Sequence, residues 1–372
     1  MKIVLAIIFL IAFAFLSGLW FYRFLKNIFV LFGKNTVLWR FKAPLIASSV
    51  FLGFGSIAIV STASIFILHV LVIGLLVQFI NFAIRYFCKR EIGLWNKIYL
   101  SGAVPVAVTI VILVYGYINM NNVVCTKYSI DTDKQIKSDG YTLAFISDVH
   151  FGVSLDQNEL RQKCNEIESS CPDAVILGGD IVDNDTTKDD LYSAFQILGN
   201  IKSKYGVFFV YGNHDRPMPK IKSMYSNDEL TDALSKSGIK VLKDEIYLIN
   251  DELYIVGRED KNSKMMGYKR YSAHEILKDL SKNKFIVLCD HQPNDYKAVS
   301  KEGADLIVSG HTHGGQIFPS NLIQELFNIN DDVYGKDRVG KHTYSIVTSG
   351  LAGWKYPIKT CAPSEYVIIK IK

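Results

Sequence analysis

Charged residues are missing from two long stretches near the start of this chain. Ile3 to Tyr22 and Ala43 to Ile84 contain no Asp, Glu, Lys or Arg. Uncharged runs of that length argue against the core helices of a soluble protein, because crossing a bilayer takes about 20 apolar residues. The first run is one span. The second is long enough for two, with a turn near Ser61-Thr62-Ala63-Ser64 and rival break points at Gly53 and Gly55. Ile98 to Ile118, mildly interrupted by Pro105, makes a fourth. No small-residue cleavage site follows the first run, so a removed signal peptide is the weaker reading. Disulfide-capable cysteines are also scarce. Of the six, Cys88 lies beside a basic loop, Cys164 and Cys171 would be held apart by an intervening helix, and Cys289 ends an apolar run. With no internal repeat and no low-complexity tract, disulfide scaffolds and solenoids drop out.

Charge that is present is unevenly placed. Residues 1–140 hold 13 Lys+Arg against 4 Asp+Glu, and the remainder holds 28 against 32. A mildly acidic remainder gives no electrostatic footprint for nucleic acid. Arg23, Lys26, Lys34, Arg40 and Lys42 follow the first run; Arg85, Lys89, Arg90 and Lys97 precede the last; the middle connection has none. Positive loops stay cytoplasmic, so four spans would put everything after residue 118 outside. Residues 1–120 thus read as a transmembrane region, 121–140 as a short linker and 141–372 as a folded α/β domain. Helical patterns lie at Gln157–Ser170, Asp189–Lys204, Asn227–Ser237 and Ala273–Leu280.

Five apolar strand-like runs in that domain each end in metal-type residues. Thr142–Ser147 leads into Asp148-Val149-His150, and Ala174–Leu177 into Gly178-Gly179-Asp180. Val207–Tyr211 leads into Gly212-Asn213-His214-Asp215, Phe285–Cys289 into Asp290-His291-Gln292-Pro293, and Asp305–Ser309 into Gly310-His311-Thr312-His313. At a strand end, positions i and i+2 project to the same side, so Asp148 with His150, and His311 with His313, converge. Ligands gather beyond the carboxyl ends of strands in α/β sheets, and five such ends predict one shared site. Carboxylate, amide and imidazole donors without thiolate suit Mn, Fe or Zn. His69, His274 and His342 stand apart from the clusters.

In this order the five motifs resemble the motif set of the calcineurin-like metallophosphoesterases, and the Gly314-Gly315-Gln316 that follows resembles the membrane-associated bacterial branch. The resemblance covers roughly residues 141–372 and implies an α/β/β/α sandwich. It also implies two divalent ions: Asp148, His150, Asp180 and His313 around one, and Asn213, His291 and His311 with a bridging Asp180 around the other. His214 would face the substrate, supported by Asp215. Three departures bear on substrate contacts: Ala352 where a second glycine is usual, Lys359 where arginine is common, and the interrupted Pro363-Ser364-Glu365. A lysine gives a point charge but no fork, so a phosphate contact there would be looser. The implied activity is phosphoester hydrolysis at a dinuclear centre, by a multi-pass membrane protein whose catalytic domain faces out. Its partners would be the lipid bilayer and a phosphoester, with lipid-linked or envelope esters the leading candidates. The alternatives are soluble nucleotides or phosphoproteins and, in a different class, a metal-binding sensor or transporter with His69 as its one ionisable intramembrane candidate.

Overall fold

A computed structural model describes residues 2–57, 61–88, 93–152, 155–218 and 221–372. The chain divides into two compact units, Met1–Tyr115 and Gly116–Lys372. The first contains α1 (Lys2–Leu31), α2 (Trp39–Gly55), α3 (Thr62–Cys88), α4 (Gly93–Ser101) and most of α5 (Ala103–Asn121).

Of the four expected spans, three helices among the described residues are long and apolar enough to cross a membrane: Ile7–Leu31, Thr62–Phe87 and Ala103–Asn121. The exception is α2. Its 17 residues carry Arg40 and Lys42 in the first turn and include Pro44, and the chain turns after Gly55, which leaves roughly 25 Å of helix. Small residues let α1 and α2 approach closely. A Cβ on Gly53 would lie 2.5 Å from the Ala14 carbonyl oxygen, and one on Gly18 would lie 3.3 Å from that of Ser49. The pairing of 18 with 49 and of 14 with 53 makes the two helices antiparallel. By contrast α3 runs alongside α1: Gly55 meets Ile67 just as α3 begins, and further along Trp20 packs on Gly74 and donates to Gln78 Oε1 at 2.8 Å. At the start of α5, Gly102 meets Phe24. The ends of α1 and α3 and the start of α5 therefore share one end of this unit. Lys89 and Arg90 lie outside the described residues. His69 Nδ1 bonds the Ile65 carbonyl of its own helix at 2.8 Å, which satisfies it locally.

The second unit is a sandwich of two six-stranded sheets. One sheet has the order β1 (Val124–Ile130), β12 (Glu365–Ile371), β2 (Tyr141–Ile146), β3 (Ala174–Leu177), β4 (Val207–Phe209), β5 (Lys240–Val241). The other has β10 (Gly335–Arg338), β11 (Tyr344–Val347), β9 (Leu306–Ser309), β8 (Phe285–Cys289), β7 (Leu253–Gly257), β6 (Glu245–Ile249). The central strands are continuous apolar runs because both faces are covered. Leu143 and Phe145 of β2 point between the sheets, where they join Ile176, Phe208, Ile255, Val287 and Val308. Ala144 and Ile146 point the other way, into a layer with Leu160, Phe195 and Leu230. Those last three come from α6 (Gln157–Glu168), α7 (Lys188–Gly199) and α8 (Asn227–Lys236). The outer face of the second sheet packs Ile286, Leu288 and Ile307 against Ile276 and Val299, which belong to α9 (Ala273–Leu277) and α10 (Tyr296–Lys301). The expected α/β/β/α architecture is present, and the four expected helices and five site-bearing strands lie within a few residues of their predicted positions.

The predicted linker is a correction. Val124–Ile130 forms β1, paired in parallel with β12 from Val124↔Glu365 to Ile130↔Ile371. The residues after it are tied down as well: Lys134 Nζ lies 2.6 Å from Asp305 Oδ2 and Lys137 Nζ 2.5 Å from Asp173 Oδ1. The last turn of α5 also belongs to this unit. Lys359 N donates to Gly116 O at 3.0 Å, and Asn119 Nδ2 donates to Lys359 O at 3.0 Å and Ala362 O at 3.2 Å.

Candidate metal centre

The site forms where β2, β3, β4, β8 and β9 end. The loop after β2 is bonded to the loop after β3: Asp148 N donates to Gly179 O, Val149 N to Asp180 O and Phe151 N to Ile181 O, at 2.9–3.0 Å. The loop after β9 joins through Gly310 N to His291 O at 2.9 Å and through His311 N to both Asp148 carboxylate oxygens at 3.0 Å. Glycine is required where these loops touch. A Cβ on Gly310 would lie 2.1 Å from Asp148 Oδ2, and one on Gly212 would lie 2.2 Å from Asp180 Oδ1.

Two groups of ligand-type side chains result. Asp148, His150 and His313 present donor atoms within 4.8 Å of one another, and Asp180, His291 and His311 do the same. Asp180 Oδ2 links them, lying 3.1 Å from His291 Nε2 and 3.8 Å from His150 Nε2. The imidazoles are aimed from behind. His291 Nδ1 bonds the Gly178 carbonyl at 2.8 Å and His313 Nδ1 that of Ala352 at 3.3 Å, which leaves each Nε2 facing a carboxylate. Metal-ligating histidines are oriented in this way. Both ring nitrogens of His150, Nε2 of His291 and Oδ1 of Asn213 are buried without a hydrogen-bond partner. Orphaned buried donors and acceptors are costly unless something else binds them. A cation-binding role fits these residues.

Electrostatics agrees with that fit. Burial opposes ionisation of Asp180, but His291, His214 and His150 more than offset it and hold its carboxyl well below the usual range. At His291 burial also opposes charge, and Asp180 and Asp148 override it, raising the imidazole well above its ordinary value. The carboxylates thus demand positive charge at that nitrogen. Burial, together with the His291 charge, pushes His311 down to about 3, and burial holds His313 low too, so both stay neutral with a lone pair to offer.

A family model described as calcineurin-like phosphoesterase matches residues 141–315. The chain belongs to that family. As a calcineurin-like phosphoesterase it is a hydrolase of phosphoester bonds, of a family that uses a dinuclear metal centre. It is 29% identical over 249 residues to an uncharacterized metallophosphoesterase of Aquifex aeolicus, a match covering 66% of this chain and 90% of that one. It is 30% identical over 259 residues to one from Campylobacter jejuni, covering 69% and 66% respectively. A Danio rerio relative named a transmembrane protein with metallophosphoesterase domain is 29% identical over 273 residues, covering 71% of this chain and 61% of its own.

Two sequence expectations need correcting in this phosphoesterase. The Asp215 carboxylate does not support His214. It accepts backbone N–H bonds from Gly212 (2.6 Å), Asp180 (2.8 Å), Ile181 (2.8 Å) and Val182 (3.3 Å), and so shapes the turn that carries Asp180. Lys359 is no surface phosphate contact either. It is fully buried, with Nζ donating to Ser349 O at 2.6 Å, Gly350 O at 3.4 Å and Pro363 O at 3.3 Å.

The sequence reading missed Asp183 and Trp354, and gave Gln316 and Glu365 no role at the site. Asp183 Oδ2 lies 3.5 Å from His150 Nδ1 and 3.9 Å from His214 Nδ1, and accepts from Trp354 Nε1 at 3.0 Å. The Trp354 ring stands 5.2 Å from that of His214. Gln316 clamps the segment that carries Trp354: its Nε2 donates to the carbonyls of Trp354 and Ile358 (3.0 and 3.3 Å), and its Oε1 accepts from Trp354 N at 3.1 Å. Glu365, fully buried, accepts from Thr348 Oγ1, Ser349 N and Tyr334 OH at 3.0–3.1 Å. The spacing Asp180-x-x-Asp183 was a local signal for the first of these. Trp354 had none, since 171 residues separate it from Asp183.

Proposed function

We propose that this protein is a membrane-anchored, two-metal phosphohydrolase that acts at the outer membrane face on membrane-borne phosphoesters. The observation that carries the reading is the pair of ligand groups linked by Asp180, whose Oδ2 lies near His291 Nε2 of one and His150 Nε2 of the other, with buried imidazole nitrogens left without a hydrogen-bond partner. Asp148, His150, Asp180 and His313 would hold one ion, and Asp180, Asn213, His291 and His311 the other. Two such ions, when bound, supply Lewis-acid clamping of a phosphoryl group and a nucleophile for in-line displacement at neutral pH. His214 protonates the leaving oxygen. Asp183 sits on its Nδ1 side, which leaves Nε2 as the nitrogen for that transfer, and Trp354 limits how far the ring can turn. Asp215 is a positioning residue that holds the Asp180 turn.

Anchoring is supported by the apolar helices, and the outward side by their arrangement. Antiparallel α1 and α2, with α3 returning alongside α1, put Lys34, Arg40 and Lys42 at the same end of the helical unit as Arg85 and Lys97. Basic connections are retained in the cytoplasm. Short α2 must then cross as the tightly packed partner of α1. The substrate class follows from location: anchoring concentrates the enzyme near membrane-borne esters without any new contact.

Metal analysis and turnover of purified full-length protein, on a panel of mono- and diesters, test the reading. Two divalent ions per chain and ester hydrolysis are expected. The Asp180→Asn variant should lose both bound metal and turnover, because the carboxylate that lies between the two ligand groups would no longer offer negative charge to either ion. Two ions retained at near-normal turnover in that variant would remove the shared-carboxylate assignment.

A further inference from the structure

We infer that the apolar surface around α11 (Ser320–Leu326) sits in the bilayer interface beside the mouth of the metal site, where it receives the apolar part of an amphiphilic phosphoester. The inference deepens the function proposed above and rests on it for the chemistry.

No side chain of α11 is buried. Leu326 is 75% and Phe327 70% exposed, and Phe318, Leu322, Ile323 and Ile329 are exposed beside them. From Phe318 to Ile329 the only charge is Glu325. An exposed apolar patch of this kind marks a binding surface or a membrane contact.

Its location selects the membrane. On one side α11 abuts the metal centre: a Cβ on Gly315 would lie 2.5 Å from Asn321 Cβ, and Gly315 is two residues beyond His313. On the other side it joins the 354–360 segment, through Phe318 N donating to Thr360 Oγ1 at 2.8 Å. That segment begins with Trp354 on His214 and reaches Lys359, bonded to Gly116 and Asn119 at the end of α5. The α5 helix is a candidate span, with exposed Tyr115 and Tyr117 at this end. Tyrosines favour the membrane–water boundary. Five residues from Trp354 to Lys359 reach at most about 18 Å. The boundary at which α5 emerges is thus one short strap away from the catalytic histidine, and α11 flanks that strap. A soluble partner protein would have to approach the patch beside a bilayer; the bilayer itself is already there.

The test uses full-length protein in lipid vesicles. Leu326→Trp adds an indole at the most exposed position, and its added fluorescence should be quenched by lipids brominated in the acyl chains. Leu326→Asp combined with Phe327→Asp should leave hydrolysis of a soluble model phosphoester within about twofold, and slow hydrolysis of an amphiphilic phosphoester in the same vesicles about tenfold or more. An unquenched indole overturns the inference, as does a double variant that hydrolyses the amphiphilic ester at the wild-type rate. So does a double variant that converts a detergent-solubilised dimer to monomer, since the patch would then be a contact between two copies. Quenching needs no turnover, so failure of the hydrolase reading remains distinguishable from failure of the membrane contact.

Discussion

Asp148, His150, Asp180, His311 and His313 all hold positive φ, between 41° and 71°. Residues with a Cβ avoid this region, and strain of this kind costs of order 1–3 kcal/mol each and clusters at functional sites. Here it turns the chain sharply just past each strand, so that Asp148 and His150 of one loop join one ligand group while His311 and His313 of another divide between the two. The surrounding bonds hold the turns in place, and Asp215, with its four backbone donors, is the clearest case. Different roles follow for residues adjacent in sequence. The His214→Ala variant should keep its metals and lose about 10²–10⁴ in kcat, as expected for a proton donor. The Asp215→Asn variant turns an amide donor toward backbone N–H groups, so it should lose metal content and thermal stability together. Metal analysis beside steady-state kinetics separates the two. Loss of metal from the His214 variant would make that residue a ligand instead.

Among the elements, the strap from Gly353 to Ala362 governs the site without contributing a metal ligand. Gln316 and Lys359 hold it by their bonds to its carbonyls and to those of its neighbours. The Gln316→Ala variant should retain metal yet slow turnover, because Trp354 and Ile358 lose their donor and Trp354 no longer fixes the His214 ring; unchanged kcat would detach the strap from catalysis. Lys359 adds a pH signature. Burial pushes its ammonium down to about 7, only partly opposed by Asp148 and Glu365. In the unfolded chain the same lysine keeps its proton up to about pH 10.4. The unfolded state therefore binds more protons between those values, and stability rises with pH across that window. Thermal unfolding of wild type and Lys359→Met should show a gap that shifts in favour of wild type as pH rises from 7 toward 10. A pH-independent gap would mean that the buried lysine stays charged. Strand β1 belongs at this scale too. Its sequence, Val124-Cys125-Thr126-Lys127-Tyr128-Ser129-Ile130, alternates half-buried and exposed positions before ending on buried Ile130. That pattern reads as linker because an edge strand is stabilised mainly by its one neighbour, here β12 from the far end of the chain.

For the molecule as a whole, orientation in the membrane is the quantity to measure. A reporter active only outside the cytoplasm, fused after residue 372, should work, and one inserted at 89–92, between α3 and α4, should not. The reverse pattern would invert the helical unit and place the ends of α1 and α3 outside together, because α3 runs alongside α1 in the same direction.

By itself, the sequence determined the metal-type residues at five strand ends, the two-part division and the apolar helices. These are legible because each is local: a buried strand must be apolar on both faces, a ligand pair at its end must be spaced by two, and a span must lack charge over its length. It could not determine the partner of His214, the burial of Lys359, the pairing of β1 or the exposed face of α11. Those depend on contacts between segments far apart in the chain, such as Trp354 with Asp183 and Val124 with Glu365. Only the packed sheets and their loops bring such residues together, because side-chain chemistry sets what a residue can bind, whereas tertiary structure sets what stands within reach.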